Sequence, residues 1–159
     1  MNKTQQDCKA SKTSQELFDE ADEFTRGYIA CALWVSVGIG DPDLWAPVED
    51  GEIGPQGITD EHAPSDIAIE TMLEMLADCA TFQRGCPYIT DEFYIGEAKL
   101  RYSVADLAGH DFWLTRNGHG GNFLDGDWKM PAAQQLYKAA QKYNECYLYV
   151  GDDGLIYQR

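Results

Sequence analysis

The chain has 159 residues and a mass of 17.8 kDa, a length that suits one domain able to bury roughly two-thirds of its unfolded surface. Lys and Arg number 12 against 27 Asp and Glu, a formal net charge of −15 with 44% hydrophobic residues. A chain so acidic is repelled by phosphate backbones and anionic lipid, which excludes ordinary nucleic-acid binding and electrostatic docking on a membrane. No apolar stretch approaches the roughly 18 residues of a spanning helix. The polar start MNKTQQDCKASKTSQ has no signal-peptide pattern, so a soluble cytoplasmic protein is expected.

In chain order, residues 1–12 are polar and without period, a flexible terminus by expectation. A single α+β domain is expected over residues 13–159. Thr13-Ser14-Gln15-Glu16 reads as a capping box. Leu17, Ala21, Phe24, Tyr28, Cys31 and Val35 then step by four and three, which predicts one continuous helix ending at Gly38 and Gly40. Its stretch Ala30–Val37 is apolar nearly all round and should be deeply buried. Residues 41–62 are punctuated by Pro and Gly and read as a long acidic loop pinned by Leu44, Trp45, Val48 and Ile53. A second helix begins near Pro64-Ser65, with Ile69, Met72, Leu73, Leu76, Cys79, Ala80 and Phe82 on its expected inner face.

The second half changes character. Phe93–Ile95 reads as a short strand or loop anchor, and Ser103 as the cap of a single turn through Leu107. His110–Thr115 reads as a strand, Asn117-Gly118 as a hairpin turn and Gly120–Leu124 as the return strand. Pro131 opens a third helix bearing Leu136, Ala139, Ala140 and Tyr143 on one face. Cys146–Val150 and Leu155–Gln158 form a last hairpin about Asp152-Asp153-Gly154. The expected class is α+β: N-terminal helices packed on a small antiparallel sheet of two hairpins with a helix between them.

Five cysteines, Cys8, Cys31, Cys79, Cys86 and Cys146, show no Cys-x-x-Cys pair; in a reducing compartment they read as small core residues. Asp125-Gly126-Asp127 and Asp152-Asp153-Gly154 are only fragments of a calcium loop and read as turns. No metal and no cofactor is called for.

Two features carry functional readings. The first is charge: residues 41–97 hold 14 acidic residues against one basic residue, Arg84. Asp66, Glu70, Glu74 and Asp78 recur every fourth position, a row of like charges that weakens an isolated helix. Such a row is a solvated face, a surface for a basic partner or a divalent-cation site. The second is the block from Gly109 to Phe123. There His110 or His119 is a candidate general base, Asp111 its orienting carboxylate and Arg116 a clamp for an anionic substrate. On an alternating strand His110 and Asp111 point to opposite faces, which favours a purely structural hairpin. Two histidines nine residues apart lack a third zinc ligand.

The strings GHDFWLTRNGHGGNF, FTRGYIACALW, ADCATFQRG and YVGDDGLIY together resemble a family of small acidic proteins encoded mainly by bacteriophages and prophages. The resemblance spans most of residues 17–158 and is most specific in the Gly109–Phe123 block. Family members tend to carry Gly-Phe-Trp-Asp after the expected hairpin, where this chain has Asn122-Phe123-Leu124-Asp125. The resemblance implies a phage or mobile-element origin and expression in the bacterial host cytoplasm, and no catalytic residues. The functional expectation is a non-enzymatic accessory protein that binds a basic partner, a nucleic-acid-binding host defence factor, as an anti-restriction or anti-CRISPR inhibitor or DNA mimic. Asp66, Glu70, Glu74 and Asp78 would supply the field and Trp45 the apolar anchor. The alternatives are a small enzyme or ligand-binding protein built on His110, Asp111, Arg116 and His119, and a structural or scaffolding phage protein.

Overall fold

A computed structural model describes residues 11–37 and 58–159. Its elements are α1 (Ser14–Glu20), α2 (Glu23–Ser36), α3 (Ile69–Gly85), α4 (Val104–Arg116), α5 (Ala132–Ala140), β1 (Leu148–Val150) and β2 (Ile156–Gln158), with 3-10 turns at Pro64–Asp66 and Glu97–Leu100. The class is α+β in the broad sense, mostly helical, with one two-stranded antiparallel sheet in which Tyr149 pairs with Tyr157. No helix among the described residues is long and apolar enough to cross a membrane. The long loop falls mostly outside the described residues, Trp45 included. Its last part is described, and Ile58 there is buried.

Local chemistry accounts for most boundaries. The Thr13 capping box forms: the Thr13 amide donates to Glu16 at 2.8 Å and the Glu16 amide to the Thr13 hydroxyl at 3.2 Å. The single long N-terminal helix is corrected to two. Ala21 is extended, and the Asp22 carboxylate accepts from the Thr25 amide at 2.9 Å, so a new N-cap sits inside the acidic run and restarts the helix. Phe24, Tyr28 and Cys31 still face inward, as their spacing predicts.

The central hairpin is also corrected. Residues 110–116 belong to α4, which Ser103 caps by accepting from the Asp106 amide at 3.1 Å and which runs on well past Leu107. Val104, Ala108, Phe112 and Thr115 are buried at helical spacing. Asn117-Gly118 ends this helix rather than turning a hairpin. The Gly118 amide donates to the Thr115 carbonyl and the His119 amide to the Leu114 carbonyl, with Gly118 at φ +68°, a Schellman stop. Gly120–Leu124 is turn and bend, so the sheet is one hairpin and not two.

The core lies where α2 crosses α4. A Cβ on Gly109 would stand 1.9 Å from the Phe24 carbonyl oxygen, so only glycine lets the two backbones meet. Around this crossing Phe82 stacks on Phe112 with ring centroids 4.1 Å apart, and Phe24 and Phe123 flank them. The Phe93–Ile95 anchor grips the opening of α5. The Ile95 amide donates to the Asp127 carbonyl and the Lys129 amide to the Phe93 carbonyl, each at 2.8 Å. Tyr94 and Trp128 meet edge to face between them.

Alanine has the higher helix propensity by about 1 kcal/mol, so Gly109→Ala would stabilise a free helix. Here overpacking should win, with a net loss of about 1–3 kcal/mol or more. Gly120→Ala, where a Cβ meets nothing within 4 Å, should stay within about 0.5 kcal/mol of the parent. Urea unfolding of the two variants checks both.

Candidate functional site

The four candidate residues of the Gly109–Phe123 block diverge: His110, Asp111 and Arg116 lie on α4, where successive side chains rotate by about 100°, and His119 lies past its end. Arg116 is 8% exposed and points into the interior. Its Nη1 donates to the Tyr28 hydroxyl and to Asp78 Oδ2, both at 2.8 Å. Its Nε and Nη2 donate to the Asn144 carbonyl at 3.0 and 2.7 Å. Its guanidinium also lies over the Phe112 and Tyr143 rings. With its fork consumed by protein acceptors, Arg116 ties α2, α3, α4 and the 144 segment together and is not free to clamp a substrate.

Asp111 takes another direction, accepting from Trp128 Nε1 at 2.7 Å. Burial, together with the charges of Asp127 and Asp125, pushes its pKa up to about 7, while the Trp128 hydrogen bond pulls the other way. His110 sits beside Trp34. The half-buried His119 lies past the Gly118 stop, its backbone amide closing that stop. No hydrogen bond links His110 or His119 to Asp111, so the expected base and orienting carboxylate do not form a dyad. Among the described residues no three His, Cys, Asp or Glu side chains gather as a metal-ligand set. Cys31, Cys79, Cys86 and Cys146 are free and buried, and burial raises each thiol pKa, leaving them protonated.

The acidic row on α3 survives in its middle. Asp78, at one end, is drawn into the Arg116 ion pair. Asp66, at the other, lies in the 3-10 turn before α3 and accepts from the Ala63 amide at 2.8 Å. Glu70 and Glu74 remain exposed and, among the described residues, without an ion pair; Glu74 accepts from Gln158 Nε2 at 2.8 Å. The helix is also rotated from its expected phase. Thr71, Met72, Met75, Cys79 and Phe82 are buried, whereas Ile69 and Leu73 are 40% and 52% exposed and Ala80 faces solvent. Two short rows therefore lie side by side on the solvent face of α3, the carboxylates Glu70 and Glu74 and the aliphatics Ile69 and Leu73. The hairpin borders them. Tyr157 stacks on Tyr149 and donates to Asp153 at 2.7 Å, and its phenol pKa is raised first by that bond and in part by Glu70.

Comparison with known proteins finds no matching family model, no matching curated protein and no matching solved structure.

Replacing Arg116 by Met should lower the unfolding free energy by about 2–3 kcal/mol, since it removes the partner of the part-buried Asp78 carboxylate and of the buried Tyr28 hydroxyl; the urea midpoint reads this. For Asp111, the folded pKa of about 7 lies above the unfolded value of about 3.9. The protonated acid therefore stabilises the fold at low pH, and that contribution is lost as pH rises from about 4 to about 7. Asp111→Asn should have the higher melting temperature at pH 8 and lose that advantage at pH 4, measured by thermal unfolding at both values.

Proposed function

We propose that this protein is a non-enzymatic accessory factor that binds a basic protein partner through the solvent face of α3. The supporting observation is the pairing of unneutralised carboxylates, Glu70 and Glu74, with the exposed aliphatic pair Ile69 and Leu73 on the same helix. Charge steers encounter and sets register, while affinity needs a desolvated apolar anchor. On this face the two occur within one helical turn, with Ile69 and Leu73 in the anchoring role that the sequence gives to Trp45. The chain's net charge of −15 strengthens the steering of a basic surface over several ångströms of solvent.

The resemblance to bacteriophage and prophage proteins supports a narrower form of the proposal. The partner is a nucleic-acid-binding host defence factor in the bacterial cytoplasm, and the carboxylates compete for the groove that otherwise holds phosphates, as an anti-restriction or anti-CRISPR inhibitor would. Asp66 and Asp78 are excluded from the contact set because Asp78 is neutralised by Arg116 and the part-buried Asp66 lies in the turn before α3.

The test is capture from bacterial lysate by the tagged protein, with a Glu70→Lys/Glu74→Lys variant beside an Asp91→Lys/Glu92→Lys control of equal net charge. The α3 variant should lose its specific partner while the control keeps it. Capture should also fall steeply with salt, because exposed charges are screened within about 10 Å at 0.1 M. Equal capture by both variants, or a flat salt response, would refute the proposal.

A further inference from the structure

A groove of about 420 Å³ runs between the second half of α2, the 3-10 turn Glu97–Leu100 and the first half of α4, within the size range of sites for small organic ligands. The stretch Ala30–Val37 is apolar nearly all round, yet the core takes only part of it. Trp34 is 70% exposed, and Tyr102, across the groove, is 57% exposed. Exposed aromatic surface gathered on a concavity marks a binding site more often than it marks leftover surface. The groove between them is lined by Cys31, Ala98 and Leu107, and the Cys31 thiol is held protonated by burial. The His110 ring lies 6.1 Å from the Trp34 ring, tilted by 33°.

One charged side chain of the groove lacks a committed partner. The Asp106 carboxylate makes no hydrogen bond to any described residue; its backbone amide donates to the Ser103 hydroxyl. Gly27 leaves it room, since a Cβ there would stand 2.6 Å from Oδ1. Burial raises the pKa of Asp106 and lowers that of His110, so His110 is neutral at pH 7 and does not cancel the carboxylate. The Arg26 guanidinium donates to the Ala21 carbonyl at 2.7 Å and makes no hydrogen bond to Asp106, though its charge favours the ionised carboxylate. Glu23, Arg26 and Arg101 line the smaller polar recess that adjoins the groove at Tyr102 and Asp106.

We infer that this groove binds a small organic cation, an ammonium group carried on a planar apolar body. The ammonium donates to Asp106 and lies against the faces of Trp34 and Tyr102, where ring quadrupole and carboxylate attract it together. The apolar body covers Cys31 and Leu107. An anion of the same shape would meet the Asp106 carboxylate and the negative field of the whole chain. The site is independent of the α3 face, so either proposal can fail alone.

Three probes of one shape test it: 2-phenylethylamine, 2-phenylethanol and phenylacetate, titrated by calorimetry with the Trp34 indole N–H followed by NMR. The amine should saturate the site at millimolar concentration or below, at least about tenfold tighter than the alcohol, with phenylacetate weakest. Asp106→Asn should erase the preference for amine over alcohol while leaving alcohol binding in place. Trp34→Ala should weaken the amine about tenfold or more. Both positions are outside the core packing, and thermal unfolding confirms that each variant is folded. No saturable binding of the amine, equal binding of the three probes, or an amine preference that survives Asp106→Asn would overturn the inference.

Discussion

The guanidinium of Arg116 is the point on which the arrangement of helices depends. A cation 8% exposed is tolerated only if its desolvation is offset by acceptors and an opposite charge. Those acceptors come from three places far apart in sequence: the Tyr28 hydroxyl on α2, the Asp78 carboxylate on α3 and the Asn144 carbonyl after α5. Each must stand at hydrogen-bonding distance from a rigid planar fork, which fixes position and angle more tightly than apolar contact does. The rotation of α3 follows. For Asp78 to reach inward, the line Thr71–Met75–Asp78–Phe82 must turn toward the core, and Ile69 and Leu73 are carried outward. The face proposed to meet a partner is thus a consequence of an interaction buried behind it.

Much of this was legible in the sequence, and the failures have physical causes. The Thr13 box, the inward stripe of α2, Pro131 before α5 and the last hairpin all follow from local rules that tertiary contacts leave intact. The central block does not, because Asn-Gly serves two geometries. The positive φ of its glycine closes a hairpin or ends a helix, and the dipeptide alone cannot distinguish them. Ser103 as a cap and the Val104–Ala108–Phe112 spacing were the signals for a helix. Gly109 obscured them, since it reads as a breaker until the nearby Phe24 carbonyl explains it. The phase of α3 was harder still. Its apolar residues cover a broad arc, and which part faces inward is decided by an ion pair with a residue 38 positions away.

The acidic excess is likewise put to uses that composition cannot reveal. Asp22 caps α2 and also accepts from Gln83 on α3. Glu16 completes the first capping box, Glu20 pairs with Lys12, and Asp153 holds Tyr157 and the last turn. Asp111 sits where burial favours its neutral form. What remains for recognition is a smaller set than the run of charge suggests. It also differs in kind between the two proposed sites: a ridge of carboxylates and aliphatics on α3, and a carboxylate without a hydrogen bond beside aromatic rings in the groove.

The join between residues 67–68 and the final strand has a further consequence. The Ala68 amide, at the threshold of α3, donates to the Ile156 carbonyl at 2.9 Å, and Gln158 grips Glu74 one turn further on. The entry to α3 is thus held from both ends of the described chain, since the Ser14 hydroxyl donates to the Ile67 carbonyl at 2.6 Å. A change in either the first helix or the final strand is therefore felt at the same short join, although more than a hundred residues separate the two in sequence.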